Sequence, residues 1–146
     1  MVRPYHIIKP VLADKGGNVA VPFVDLKSQY LSIKGEIDDA IQSVIMSSSF
    51  IGGEHLKTFE ENFAKYIGVK HCIGVGNGTD AIFIALKRSG VKEGEEVITT
   101  ANSFIATSEA ITMTGAKVVF VDCEELTYNI DVGKIEAAVT EKTKAI

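Results

Sequence analysis

The sequence predicts an α/β fold, and three observations carry that prediction. From Val69 onward, short apolar runs alternate with segments whose apolar residues recur at helical spacing. The short runs are nearly continuous, as in the strands of a parallel sheet covered on both faces. Ahead of them lie two amphipathic patterns of helical period. The architecture that follows is a helical hairpin and then the first part of a mostly parallel sheet with helices on both faces.

Pro22-Phe23-Val24-Asp25-Leu26 reads as a short extended segment. Tyr30, Ile33, Ile37, Ile41, Val44 and Ile45 then mark one amphipathic helix of several turns. Ser47-Ser48-Ser49-Phe50-Ile51-Gly52-Gly53 breaks it with small residues. Leu56, Phe59, Phe63 and Tyr66 mark a second helix, which Gly68 closes in the left-handed conformation. Strands are predicted over 71–75, 96–99 and 117–121, with a further one starting at Lys144; helices over 79–87, 104–114 and 132–139 separate them. Residues 1–20, with their prolines and Gly16-Gly17, read as a loose extension, and residues 21–146 as part of one domain. Thr143-Lys144-Ala145-Ile146 has the pattern of a strand just beginning, so the sequence is expected to be a fragment of a longer chain.

Composition narrows the function. An apolar fraction of 46% with 23% charged residues suits a soluble globular protein and disfavours disorder. Fifteen Lys and Arg against 19 Asp and Glu give a net charge of −4, and no basic stripe interleaves with aromatics, so no nucleic-acid partner is expected. The apolar runs of the first twenty residues are too short for a signal-peptide core, and no membrane partner is expected either. Cys72 and Cys123 lie far apart without CxxC or zinc spacing and read as thiols in a reducing cytoplasm. His6, His55 and His71 show no ligand spacing, so no metal is assigned.

The motif richest in chemistry is Gly74-Val75-Gly76-Asn77-Gly78-Thr79-Asp80, where a predicted strand runs into a glycine turn that opens a helix. Amides at a helix N-terminus, with the macrodipole behind them, favour an anion by about 0.3–1 kcal/mol, and up to about 2 when partly buried. No Lys follows these glycines, which excludes a P-loop. A dinucleotide fingerprint needs a third glycine where Thr79 stands, and an acidic residue where the second strand ends in Thr99-Thr100-Ala101-Asn102. A phosphate monoester held by the amides of Thr79 and Asp80 and by the Thr79 hydroxyl fits better, with Gly78 admitting it. The turn alone does not separate that cradle from an ordinary cap by Asn77 or Thr79. A second turn, Asn102-Ser103-Phe104, follows the next strand at the same carboxyl edge, where open α/β sheets bind ligands. Its Phe104 ring can lie flat on a heteroaromatic ring, a contact worth about 0.5–1.5 kcal/mol beyond its buried area.

With both turns in place, the sequence from about Val21 to Ile146 resembles the amino-terminal part of the sugar aminotransferases of the DegT/DnrJ/EryC1/StrS family, pyridoxal-phosphate enzymes of the aspartate-aminotransferase fold type. The resemblance rests on Phe23-Val24-Asp25-Leu26 with Gln29-Tyr30, Ser49-Phe50-Ile51-Gly52-Gly53, Gly76-Asn77-Gly78-Thr79-Asp80-Ala81 and Asn102-Ser103-Phe104-Ile105-Ala106-Thr107 with Glu109-Ala110-Ile111. Val119-Phe120-Val121-Asp122, Tyr128-Asn129-Ile130-Asp131 and Thr143-Lys144-Ala145-Ile146 extend it. It implies pyridoxal 5'-phosphate as cofactor, with Gly78, Thr79 and Asp80 at its phosphate and Phe104 on its ring. Phe50 falls in a loop that such enzymes hold near the mouth of the active site, and so is a candidate substrate contact.

The implied reaction moves an amino group from an amino-acid donor such as glutamate to a keto group on a nucleotide-linked sugar, in a homodimer. The family's cofactor-bonded lysine belongs to sequence beyond Ile146, so no catalytic residue is assigned and this stretch alone is expected to be inactive. Members with histidine in its place dehydrate a sugar, which stays open, as does a non-catalytic phosphate- or dinucleotide-binding module. Thr100 stands where many relatives have proline, a change that should only loosen the turn.

Overall fold

The structure is a computed structural model that describes residues 22–146; the expected extension over 1–20, with His6, lies outside the described residues. The chain forms two compact units, the first ending at Phe59 and the second running from Glu60 to Ile146.

The first unit holds helices α1 (Leu26–Ser32) and α2 (Lys34–Ser47) and the opening turns of α3 (Glu54–Ile67). Asp25 starts α1, its carboxylate accepting from the Ser28 amide at 3.0 Å and the Ser28 hydroxyl at 2.5 Å. The apolar spacing predicts one helix across 30–45, but the structure breaks it at Ile33, which adopts φ −127° and ψ 18°. Ile33 is β-branched and Gly35 follows two residues later; both weaken helix continuity, while the apolar period runs on through the break. Asp38 bridges the break, accepting from the Tyr30 hydroxyl at 2.7 Å and pairing with Lys34. After α2, Ser48 turns left-handed at φ +53°, and Ser43 Oγ lies 2.6 Å from His55 Nε2 at the start of α3.

In the second unit α3 closes as predicted. Gly68 takes φ +80°, and the amides of Gly68 and Val69 both donate to the Ala64 carbonyl at 2.9 Å. Then follow α4 (Gly78–Arg88), β1 (Glu96–Thr100), α5 (Ile105–Met113), β2 (Lys117–Val121), α6 (Val132–Ala138) and β3 (Thr143–Ala145). The three strands form a parallel sheet in the order β2-β1-β3. Consecutive residues of β1 point to opposite faces, and both Val97 (3% exposed) and Ile98 (1%) are buried, so this strand is covered on both sides. Val91, Val97, Ile111 and Ala116 form the core cluster, with Leu86, Val118 and Ala145 packed on it. Each fully buried branched side chain of this kind contributes about 1.5–3 kcal/mol.

At the amino-terminal rim of the sheet, Glu96 is buried. Its carboxylate accepts from the Thr140 hydroxyl at 2.7 Å and from Lys117 Nζ at 3.2 Å, which ties β1 to β2 and to the turn before β3. Across the sheet, the register sets Thr99 opposite Phe120 and Thr100 opposite Val121.

The predicted strand over 71–75 is not a ladder strand. An apolar run becomes one only beside a neighbour with free backbone groups, and among the described residues no strand pairs with it. Instead the Glu60 carboxylate accepts the Gly74 amide at 2.7 Å, and Ile73 stays 79% exposed.

Candidate functional site

The glycine turn folds as a capped helix start. Asn77 is extended (φ −165°, ψ 176°) and caps α4, its Oδ1 accepting the Asp80 amide at 2.9 Å while its Nδ2 donates to Asp80 Oδ2 at 3.0 Å. Asp80 is thus engaged twice by one side chain. The Asp80 amide, which the sequence offers to a phosphate together with that of Thr79, is taken by the cap. The amides of Gly78 and Thr79 have no acceptor among the described residues. A Cβ built on Gly78 meets nothing within 4 Å, so the space above it is open; one on Gly76 would come 3.0 Å from Asp80 Oδ2. Asp80 in the first turn and Lys87 and Arg88 in the last complement the dipole of α4.

Phe104 is not a core residue. It stands before α5 in extended conformation (φ −70°, ψ 143°), with 77% of its surface exposed. It lines a cleft of about 150 Å³ with Thr99, Thr100, Ser103, Ile105 and Phe120 among its walls. Phe120, 58% exposed, comes from β2 by way of its register opposite Thr99. Ser103 Oγ and Thr107 Oγ1 lie 3.2 Å apart on the rim. The Thr100 hydroxyl is buried without a hydrogen-bond partner among the described residues. Gly78, Thr79 and Asp80 are not part of this cleft's lining, although α4 and α5, the helices opened by the two turns, pack against each other.

Sequence reasoning missed Phe120 and the Thr100 hydroxyl. The signal for Phe120 is the strand register: an aromatic one residue before the end of β2 falls at the rim rather than in the core. Phe50 is exposed in the linker between α2 and α3, within the first unit. Asp122, Tyr128 and Asp131 carry turn and cap chemistry: Asp131 accepts the Gly133 amide at 3.0 Å and so caps α6. The Cys123 amide, foremost, and Lys134 hold the Asp122 carboxyl below the ordinary aspartate range. Among the described residues no group of three or more His, Cys, Asp and Glu is placed to hold a metal, and no helix is long and apolar enough to cross a membrane.

The sequence model of the DegT/DnrJ/EryC1/StrS aminotransferase family matches residues 31–146, which include both turns. The chain belongs to this family. A relative from Geobacillus stearothermophilus, named a pleiotropic regulatory protein, is 53% identical over 126 residues, covering 86% of this chain and 34% of its own length. The UDP-2-acetamido-2-deoxy-3-oxo-D-glucuronate aminotransferase of Pseudomonas aeruginosa is 43% identical, covering 86% of this chain and 35% of its own length. Among solved structures, NtdA from Bacillus subtilis with bound cofactor PMP superimposes with a TM-score of 0.74 at 36% identity, covering 77% of this chain and 26% of that one. The α/β fold is that of the family. This chain spans about a third of the length of the curated relatives it matches.

Proposed function

We propose that this chain carries the cofactor cradle of a pyridoxal-phosphate-dependent aminotransferase. The enzyme moves an amino group from an amino acid, glutamate, to the keto group of a nucleotide-linked sugar, and works as a cytoplasmic homodimer. The observation that carries the reading is the pair of amides at Gly78 and Thr79, which have no acceptor among the described residues, in the same unit as a Phe104 ring left outside the core. The names of the family relatives support the aminotransferase and the nucleotide sugar. NtdA's bound PMP supports the cofactor. The donor, the dimer and the cytoplasm rest on the family resemblance.

The residues present fit such a group. Two amides and a hydroxyl at the positive end of an eleven-residue helix suit a phosphate monoester, and Gly78 leaves room for its approach. An exposed aromatic face suits a flat heteroaromatic ring. Pyridoxal phosphate, when bound, supplies the electron sink for exchanging an amino group between carbon skeletons. Gly78 and Thr79 bind the phosphate through their amides, and the Thr79 hydroxyl adds a third donor. Asn77 holds the Asp80 carboxylate beside Gly76, so that this negative group stays tied to the cap. Phe104 orients the ring, with Thr99 and Phe120 walling the cleft beside it. Phe50 is the proposed contact to substrate. Holding a cofactor within its productive geometry matters, since a displacement of about 1 Å can cost on the order of a hundredfold in rate.

The test is Thr79→Val in the intact protein. Losing the hydroxyl while keeping the shape should raise the dissociation constant for pyridoxal phosphate about tenfold, read by titrating the absorbance of the apoprotein. An unchanged constant overturns the phosphate assignment.

A further inference from the structure

We infer that Glu60 is a positioning residue for the glycine turn: from α3 it anchors the segment that delivers Gly78 and Thr79. This rests on reading those two residues as phosphate donors. Among the described residues, the bond from the Gly74 amide to Glu60 Oε1 at 2.7 Å is the only hydrogen bond recorded for residues 71–76. Between Val69, whose amide helps close α3, and the cap of α4 at Asn77, the backbone has no other hydrogen bond among the described residues.

The anchor is well made. Glu60 sits in the interior of the fourteen-residue helix α3, whose end is pinned by the left-handed Gly68 and the two bonds to the Ala64 carbonyl. The carboxylate is half-buried. A carboxylate accepting a backbone amide forms a charge-assisted bond, shorter and roughly twice as strong as a neutral one. Gly74 lies only four residues before Gly78, and among the described residues the intervening chain pairs with no strand that would absorb a displacement. Freedom at Gly74 is therefore passed to the amides that meet the phosphate. Glu60 acts through the backbone and touches no ligand. The pattern Phe59-Glu60-Glu61 on its own reads only as a helix with solvated acids.

The experiment compares pyridoxal phosphate with pyridoxal, which lacks the phosphate, by absorbance titration of the intact apoprotein. Glu60→Met keeps the length and helix preference of the side chain and removes the acceptor; Glu60→Gln keeps an acceptor oxygen. Glu60→Met should weaken pyridoxal phosphate about tenfold and change pyridoxal less than about twofold, with Glu60→Gln close to the unsubstituted protein. Unchanged pyridoxal phosphate binding by Glu60→Met overturns the inference, as does an equal loss for pyridoxal or an equal loss in Glu60→Gln. Thr79→Val, titrated alongside, separates the two ideas. If it binds normally the cradle reading itself fails, whereas a weakened Thr79→Val beside a normal Glu60→Met sinks the Glu60 anchor alone. Should Glu60→Met not fold, hydrogen exchange decides: a protected Gly74 amide in the unsubstituted protein supports the anchor, and one exchanging at the rate of an open amide overturns it.

Discussion

The Glu96 carboxylate and the Thr140 hydroxyl meet at 2.7 Å across 44 residues of sequence. With Lys117 beside it, this contact joins three segments at one end of the sheet, and the Thr140 hydroxyl, foremost, and then Lys117 hold the carboxyl below the ordinary glutamate value. A depressed carboxyl stabilises the folded chain above its unfolded value, about 4.3, and that contribution disappears as pH falls through the folded value. Glu96→Gln should therefore be less stable than the unsubstituted protein at pH 7 by urea unfolding, with the two curves converging below about pH 4. A gap that persists once the pH lies below the folded value, with the carboxyl protonated in both states, would mean that shape rather than charge is at work.

Thr100→Val should stabilise the protein. The hydroxyl is buried with no hydrogen-bond partner among the described residues, and valine keeps the β-branched shape that suits the end of β1. Relieving an unsatisfied buried hydroxyl should add about 1 kcal/mol to unfolding in urea. A loss of stability would show that the hydroxyl has a partner in solution.

Gly78→Ala separates fold from ligand. Beyond its chain neighbours and the backbone of its own helix, no described residue comes within 4 Å of the new methyl group, and alanine is the better helix former, so unfolding should be unchanged or harder by up to about 0.5–1 kcal/mol. On the proposed reading the same methyl group stands in the path of the phosphate, so affinity for pyridoxal phosphate should fall. Stability and affinity moving together would argue against an approach over Gly78.

Phe104→Ala should leave the melting temperature nearly unchanged, since the ring is 77% exposed, yet weaken retention of pyridoxal phosphate on dialysis. The measurement is absorbance before and after dialysis. Full retention would remove Phe104 from the cofactor's ring.

Much of this was legible in the residues. The runs Glu96-Val97-Ile98-Thr99 and Lys117-Val118-Val119-Phe120-Val121 are β-branched, short and bounded by turn residues, and both fold as parallel strands. Gly68 and Asp131 announce the end of α3 and the start of α6 through their own chemistry. What stayed hidden depends on partners distant in sequence. Residues 71–75 look like a strand because strand propensity is local, whereas a ladder is not. The break at Ile33 hides inside an unbroken apolar period. Phe120 looks like core until its register opposite Thr99 places it at the rim, and nothing near Glu60 in sequence points to Gly74.

Because the three strands run parallel, the cleft of Phe104 and Phe120 opens at one rim of the sheet while Glu96, Lys117 and Thr140 gather at the other, roughly 13 Å away along five-residue strands. That distance is enough for substitutions at the two rims to add independently in free energy. The turns after β1 and β2 are therefore free to drift in length and composition while the opposite rim preserves foldability. One scaffold of this kind can be re-specified for new ligands by changes at a single edge.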